Sequence, residues 1–272
     1  MGQVIVVIGM QRSGNHGVMN WISGLFDQVH HFNNQRHDVL TDPDFIAALE
    51  ALDGVALVSF EDTLGKSDGA ADALIDSVVI AQDSALLADA LRVHVFRSPY
   101  NLWASRLAGH QKGGLSSSPR WEDFRANWLG FARAYHQEPE AFILYDRWVA
   151  DQSYRQEIAA RLGGVFSDAG LAQVTRQGGG SSFEGKPRKS YASLLTNPGV
   201  LFSPQSWARL LQWPGHYIRR WTQPPFDASA LKTDERFKHL PEFADGMRVL
   251  EDDEVAVEAK AIFGLERPDV TA

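Results

Sequence analysis

A chain of 272 residues, 44% hydrophobic and 22% charged, is long and apolar enough to bury one large core, which excludes disordered and collagen-like classes. A net charge of -8 weighs against sequence-independent nucleic-acid binding, because the phosphate backbone rewards a basic face. The chain has no cysteine, so disulfides and thiolate metal centres are excluded and a reducing compartment fits.

The first 17 residues, MGQVIVVIGMQRSGNHG, carry the densest signal. The apolar run 4–8 reads as a buried strand and 9–14 as a glycine loop; Val18, Met19, Ile22, Leu25 and Phe26 then form one face of a helix over 16–26. The run is far too short to cross a bilayer, and no basic segment precedes it, so neither a membrane span nor a leader is expected and the location is read as cytoplasmic. A second β-prone run, 55–60, ends in Glu61 and Asp62. Residues 70–91 read as helix, 92–96 as a strand closed by Arg97, Ser98 and Pro99, and 101–107 as helix. Segment 110–119, rich in Gly, Ser and Lys without a hydrophobic period, reads as a surface loop with the composition of a lid. Helix over 121–135, strand over 141–145 and helix over 152–162 follow. A glycine-rich basic loop, QGGGSSFEGKPRKS, occupies 177–190, and the tail from 206 onward reads as helix with proline-containing breaks. Strands alternating with helices predict an α/β protein of P-loop type, three αβα layers around a central parallel sheet, in a single domain spanning 1–272.

In open α/β sheets ligands bind beyond the carboxyl ends of the strands, so three strand ends converge on one expected site. The first is the loop. Its spacing from Gly9 to Gly14 is that of a phosphate-cradling P-loop, yet Asn15 and His16 stand where a Mg-nucleotide enzyme places Lys and then Ser or Thr. The cation, Arg12, lies inside the loop beside Ser13. Gln11, Arg12, Ser13, Gly14, Asn15 and His16 are therefore the anion-binding candidates. The second end carries Glu61 and Asp62, and the third Arg97 with the helix behind it. His30 and His31, adjacent but without a further ligand at metal spacing, read as surface or loop residues. Arg106 reads as a surface residue paired with a neighbouring carboxylate. The late aromatics Trp207, Trp213, Tyr217 and Trp221 read as packing, with a platform for a sugar ring or adenine as the alternative.

These motifs, in this order, resemble the sulfotransferases that use 3'-phosphoadenosine 5'-phosphosulfate. The loop MQRSGNHG resembles the family's 5'-phosphosulfate loop through Arg12, Ser13 and Gly14, and its RSGNH form is similar to a variant in bacterial members. FRSPYNLWASR resembles the 3'-phosphate motif, with its Arg and Ser falling on Arg97 and Ser105. FILYDRWVAD is similar to the strand and acidic turn that follow, and GGGSSF with Lys186, Arg188 and Lys189 to a late basic loop.

The resemblance implies transfer of a sulfuryl group from that donor to a hydroxyl or amine of a small-molecule or glycan acceptor, with no metal and no implied oligomeric state. Arg12 and His16 would serve the transfer, Arg97 and Ser105 the 3'-phosphate, and Lys186 and Arg188 the rest of the donor. Glu61 would be the base, as the residue on the strand that carries the family's catalytic His or Glu, with Asp62 the runner-up. A sulfuryl group carries one negative charge where a terminal phosphoryl carries about two, so its transfer has less need of Mg²⁺, in keeping with the missing Lys and Ser or Thr. The glycine spacing alone leaves a P-loop small-molecule kinase open. A noncatalytic nucleotide-binding protein of the same fold is the remaining alternative.

Overall fold

Among the described residues a parallel sheet of five strands organises the fold. In the computed structural model the described residues are 2–62, 74–81, 83–111, 119–169, 171 and 235–270. Strands β1 (Gln3–Gly9), β2 (Val29–Phe32), β3 (Val55–Glu61), β4 (Leu91–Phe96) and β5 (Phe142–Leu144) pair in the order β2-β3-β1-β4-β5, every pair parallel. With β3 on one side and β4 on the other, β1 is buried on both faces, which explains why it reads as a continuous apolar run rather than an alternating one.

Successive side chains point to opposite faces, so each strand feeds two cores. Val4, Val6 and Ile8, with Ala56, Val58 and Phe60, pack under helices α5 (Pro99–Gln111) and α6 (Trp121–Gln137) and the C-terminal helix Asp253–Phe263. Ile5 and Val7, with Val55, Leu57, Val93 and Val95, pack under α1 (Asn15–Ser23), α7 (Tyr145–Ala150) and α8 (Gln152–Arg161). Helices on both faces complete the expected three layers.

Four elements depart from the sequence reading. His30 and His31 lie within β2, an edge strand whose two central histidines hide its β pattern; the edge position lets the imidazoles of a four-residue strand reach outside the core. The helix expected over 70–91 is not continuous. Among the described residues it is two four-residue helices, α3 (Leu74–Ser77) and α4 (Ala85–Ala88), separated by chain whose backbone bonds instead to the segment after β2: Val79 N–H donates to the His37 carbonyl and Ala81 N–H to that of Leu40. The helix α2 (Pro43–Glu50), absent from the sequence reading, begins at Asp42, whose carboxylate accepts the Asp44 N–H at 3.0 Å, with Pro43 in the first turn. An Asp-Pro start of that kind is a legible helix signal. The helix expected over 101–107 extends to Pro99–Gln111 and so takes in His110. Segment 112–118, the basic loop 177–190 with Lys186 and Arg188, and the aromatic cluster from Trp207 to Trp221 lie outside the described residues.

One polar group sits deep in this core. His94 on β4 is buried against the rings of Phe142 and Phe131, and neither imidazole nitrogen has a hydrogen-bond partner among the described residues. Burial, aided by the charge of Arg92, pushes its pKa down from 6.5 to about 4. The unfolded chain therefore binds a proton that the folded one refuses, and stability falls as pH drops from 6.5 toward 4. In urea titrations at pH 7 and pH 5, His94→Phe is expected to lose less stability between the two than the parent does; identical losses would refute this account.

Candidate functional site

The register of the central strands builds the site. Gly9, the last residue of β1, stands level with Glu61 at the end of β3 and with Val95 near the end of β4. The loop leaving β1 therefore emerges between a carboxylate and an arginine, as the convergence of strand ends predicts.

Within the loop, Ser13 N–H closes a turn on the Met10 carbonyl at 2.9 Å, and two residues take left-handed backbone, Arg12 at φ 74° and Gly14 at φ 100°. That conformation is ordinary for glycine and costs an arginine about 1 kcal/mol or more, so the surroundings must hold Arg12 there. Gly14 is the N-cap of α1 and has no side chain to cap it, which leaves first-turn N–H groups for another acceptor. A Cβ on Gly14 would lie 2.2 Å from the Tyr145 ring, so the ring fills the space a side chain would need. A Cβ on Gly9 would lie 1.9 Å from Asn15 Oδ1: the Asn15 amide lies folded back against the first residue of its own loop.

Asn15 is bound from both ends. Its Oδ1 accepts the Ser13 hydroxyl at 2.9 Å and its Nδ2 donates to Glu61 Oε1 at 3.2 Å. His16 Nδ1 stands 3.5 Å from the same Glu61 oxygen and forms an ion pair with it when protonated. The structure thus brings Ser13, Asn15, His16 and Glu61 into one connected group, with Glu61 buried.

Arg12 and Arg97 converge from the ends of the neighbouring strands β1 and β4. Arg97, at the end of β4, donates from Nη1 to the Arg12 carbonyl at 2.9 Å, and its guanidinium lies 4.9 Å from the centroid of the Tyr145 ring. The backbone of that turn is fixed as well: Trp128 Nε1 donates to the Arg97 carbonyl at 3.1 Å, and Ser98 N–H to Asp146 Oδ2 at 2.9 Å. The Arg12 side chain packs over Gly109 of α5, whose ideal Cβ position is 3.1 Å from Arg12 Nε. That Nε is buried without a hydrogen-bond partner among the described residues. Burial first and then repulsion by Arg97 lower the Arg12 pKa, and Glu61 opposes them. Ser105 is buried on α5 one turn before Gly109, on the helix face that carries Arg12.

Tyr145 and Arg106, missed as site components, stand here too, and Asp62 has another part than the one considered. Tyr145 is wedged between Gly14 and Arg97. Asp62, considered as a runner-up base, instead accepts the Gln11 N–H and pairs with Arg106, and burial raises its pKa against the pull of both partners. Arg106 is paired with a carboxylate as expected but is not a surface residue: it is 0% exposed. The signal was a single Lys or Arg inside α5, a helix buried from Pro99 to Gly109, where an unpaired charge is prohibitively costly. Among the described residues no group of three or more His, Asp or Glu side chains is placed to hold a metal ion, and no helix is long and apolar enough to cross a membrane.

No family model and no curated protein matches the chain. Among solved structures it is similar to mouse sulfotransferase SULT7A1 complexed with PAP, at 12% identity and a TM-score of 0.43, covering 85% of this chain and 88% of that one.

Because Gly14 combines a left-handed backbone with a ring in its Cβ direction, Gly14→Ala is expected to destabilise the protein by about 2 kcal/mol or more. Gly163, also left-handed but with nothing within 4 Å, provides the control, and Gly163→Ala should cost clearly less in the same urea titration. Equal costs would show that Tyr145 does not constrain the loop.

Proposed function

We propose that the protein is a sulfotransferase that moves a sulfuryl group from 3'-phosphoadenosine 5'-phosphosulfate to a hydroxyl or amine of a small-molecule or glycan acceptor. The observation that carries this reading is the pairing of two arginines at one loop: half-buried Arg12, whose buried Nε lacks a partner among the described residues, and buried Arg97, which donates to the Arg12 carbonyl. Two guanidiniums that repel one another in a half-dry setting are stabilised by an anion between or beside them, and the uncapped N-terminus of α1 favours the same charge.

The residue types argue for a phosphosulfate rather than a Mg-nucleotide. At the position where a kinase loop carries its lysine, Asn15 is packed against Gly9 and bound to Ser13 and Glu61, so it offers no cation to a β- or γ-phosphate. A sulfuryl donor asks less of the protein in positive charge, and Arg12 with the loop N–H groups is matched to that smaller demand.

In this reading the acceptor oxygen or nitrogen attacks sulfur as the bond from sulfur to the bridging oxygen breaks. The electron pair stays with the 5'-phosphate, where Arg12 and the loop N–H groups stabilise the growing charge. Glu61 takes the acceptor proton, and His16, 3.5 Å from its Oε1, steadies the carboxylate and donates toward the leaving group. Arg97 and Ser105 hold the 3'-phosphate, which makes that group the handle distinguishing this donor from ADP-like nucleotides.

Isothermal titration with adenosine 3',5'-bisphosphate in EDTA is expected to show saturable binding that Arg97→Ala weakens by about tenfold or more, the scale of one charge-assisted contact. Binding that appears only with Mg-ATP would replace this reading by the kinase. Once an acceptor is found, Glu61→Gln should lower kcat by about a hundredfold with little change in the affinity for the bisphosphate. An unchanged kcat would remove Glu61 from the base position.

A further inference from the structure

We propose that Asp62 and Arg106 are positioning residues that set the shape of the anion loop by gripping both polar groups of one residue, Gln11. Asp62 Oδ1 accepts the Gln11 N–H, Asp62 Oδ2 is paired with Arg106 Nη2, and Arg106 Nε donates to the Gln11 carbonyl at 3.1 Å. The three contacts close a ring through a single backbone residue. Gln11 directly precedes Arg12, the residue held at φ 74°, so the ring fixes the chain where the strained turn begins.

Stability alone does not account for the pair. Arg106 is fully buried and Asp62 nearly so, and an ion pair at that depth carries a desolvation penalty that well-packed apolar residues would avoid. What apolar residues cannot do is bind an N–H and a C=O of the same residue at once. A planar guanidinium joined to a carboxylate can, because each group has two polar atoms side by side, one for its partner and one for the backbone.

The pair also divides the work at the end of β3. Glu61 holds the far side of the loop through Asn15, while Asp62 holds the near side through Gln11. Arg106 enters from α5 as the immediate neighbour of Ser105, so the helix assigned to the 3'-phosphate is tied to the loop assigned to the 5'-phosphosulfate. The ligand side of this proposal rests on the function proposed above; the loop geometry does not.

The experiment compares Arg106→Lys and Asp62→Asn with the parent. Lysine keeps the charge of Arg106 but lacks the fork needed to hold Asp62 and the Gln11 carbonyl together. In hydrogen exchange of the unliganded protein, the amides of Gln11, Ser13 and Gly14 should exchange about tenfold faster in both variants, with β1 and β3 still protected. Binding of adenosine 5'-phosphate and of the 3',5'-bisphosphate should weaken by about tenfold, the scale of a lost charge-assisted hydrogen bond, while binding of adenosine 3'-phosphate stays unchanged. A merely structural role would slow or speed exchange throughout the sheet and weaken all three nucleotides alike, and that result would overturn the proposal. So would folded variants with parental exchange in the loop. If the parent binds none of the nucleotides, the sulfotransferase reading fails, and the exchange data still decide the role of the pair.

Discussion

Parallel pairing of β1 with β3 sets Gly9 level with Glu61, and most of the site's geometry follows from that register. A one-residue slip would exchange the two faces of the strand and move the glycine past the carboxylate, so the core that fixes the register also fixes the loop. Val4, Val6 and Ile8 on one face and Ile5 and Val7 on the other leave the strand no alternative seating. The geometry at the strand end is fixed because the packing beneath it is redundant.

The architecture was legible because buried parallel strands announce themselves as apolar runs: 4–8, 55–60, 92–96 and 141–145 fall on β1, β3, β4 and β5. β2 lacked that signal, since an edge strand of four residues with two histidines has no second neighbour to demand apolarity. Residues 70–91 failed differently. Helical spacing in an alanine-rich stretch is a weak preference, and in the described part tertiary hydrogen bonds to the segment after β2 override it.

Candidate residues divided along the same line. Arg12, Ser13, Asn15, His16, Glu61 and Arg97 were legible because loop and strand-end positions concentrate them in one place, and the structure ties them together. The parts of Arg106 and Tyr145 were not legible, because each acts across the fold: the arginine 95 residues from the carbonyl it binds, the ring at the end of an edge strand against a glycine that follows the central one. Residue type and spacing report local chemistry; they do not report which backbone group a distant side chain will reach.

The Asn15 amide folded against Gly9 bears on how such loops interconvert. A conventional nucleotide loop and this one differ in writing by two residues, which invites the idea that Asn15 and His16 are simple exchanges for Lys and Ser or Thr. In three dimensions a lysine at 15 would leave the contact with Gly9 unfilled, deprive Ser13 of its acceptor, and bring an ammonium against Glu61. The two losses would have to be repaired in β1 or the loop, and the ion pair with Glu61 broken, before the new cation faced a ligand. The form of this loop is thus stored in packing as much as in charge, and the two kinds of loop are separated by a rearrangement rather than by a pair of codons.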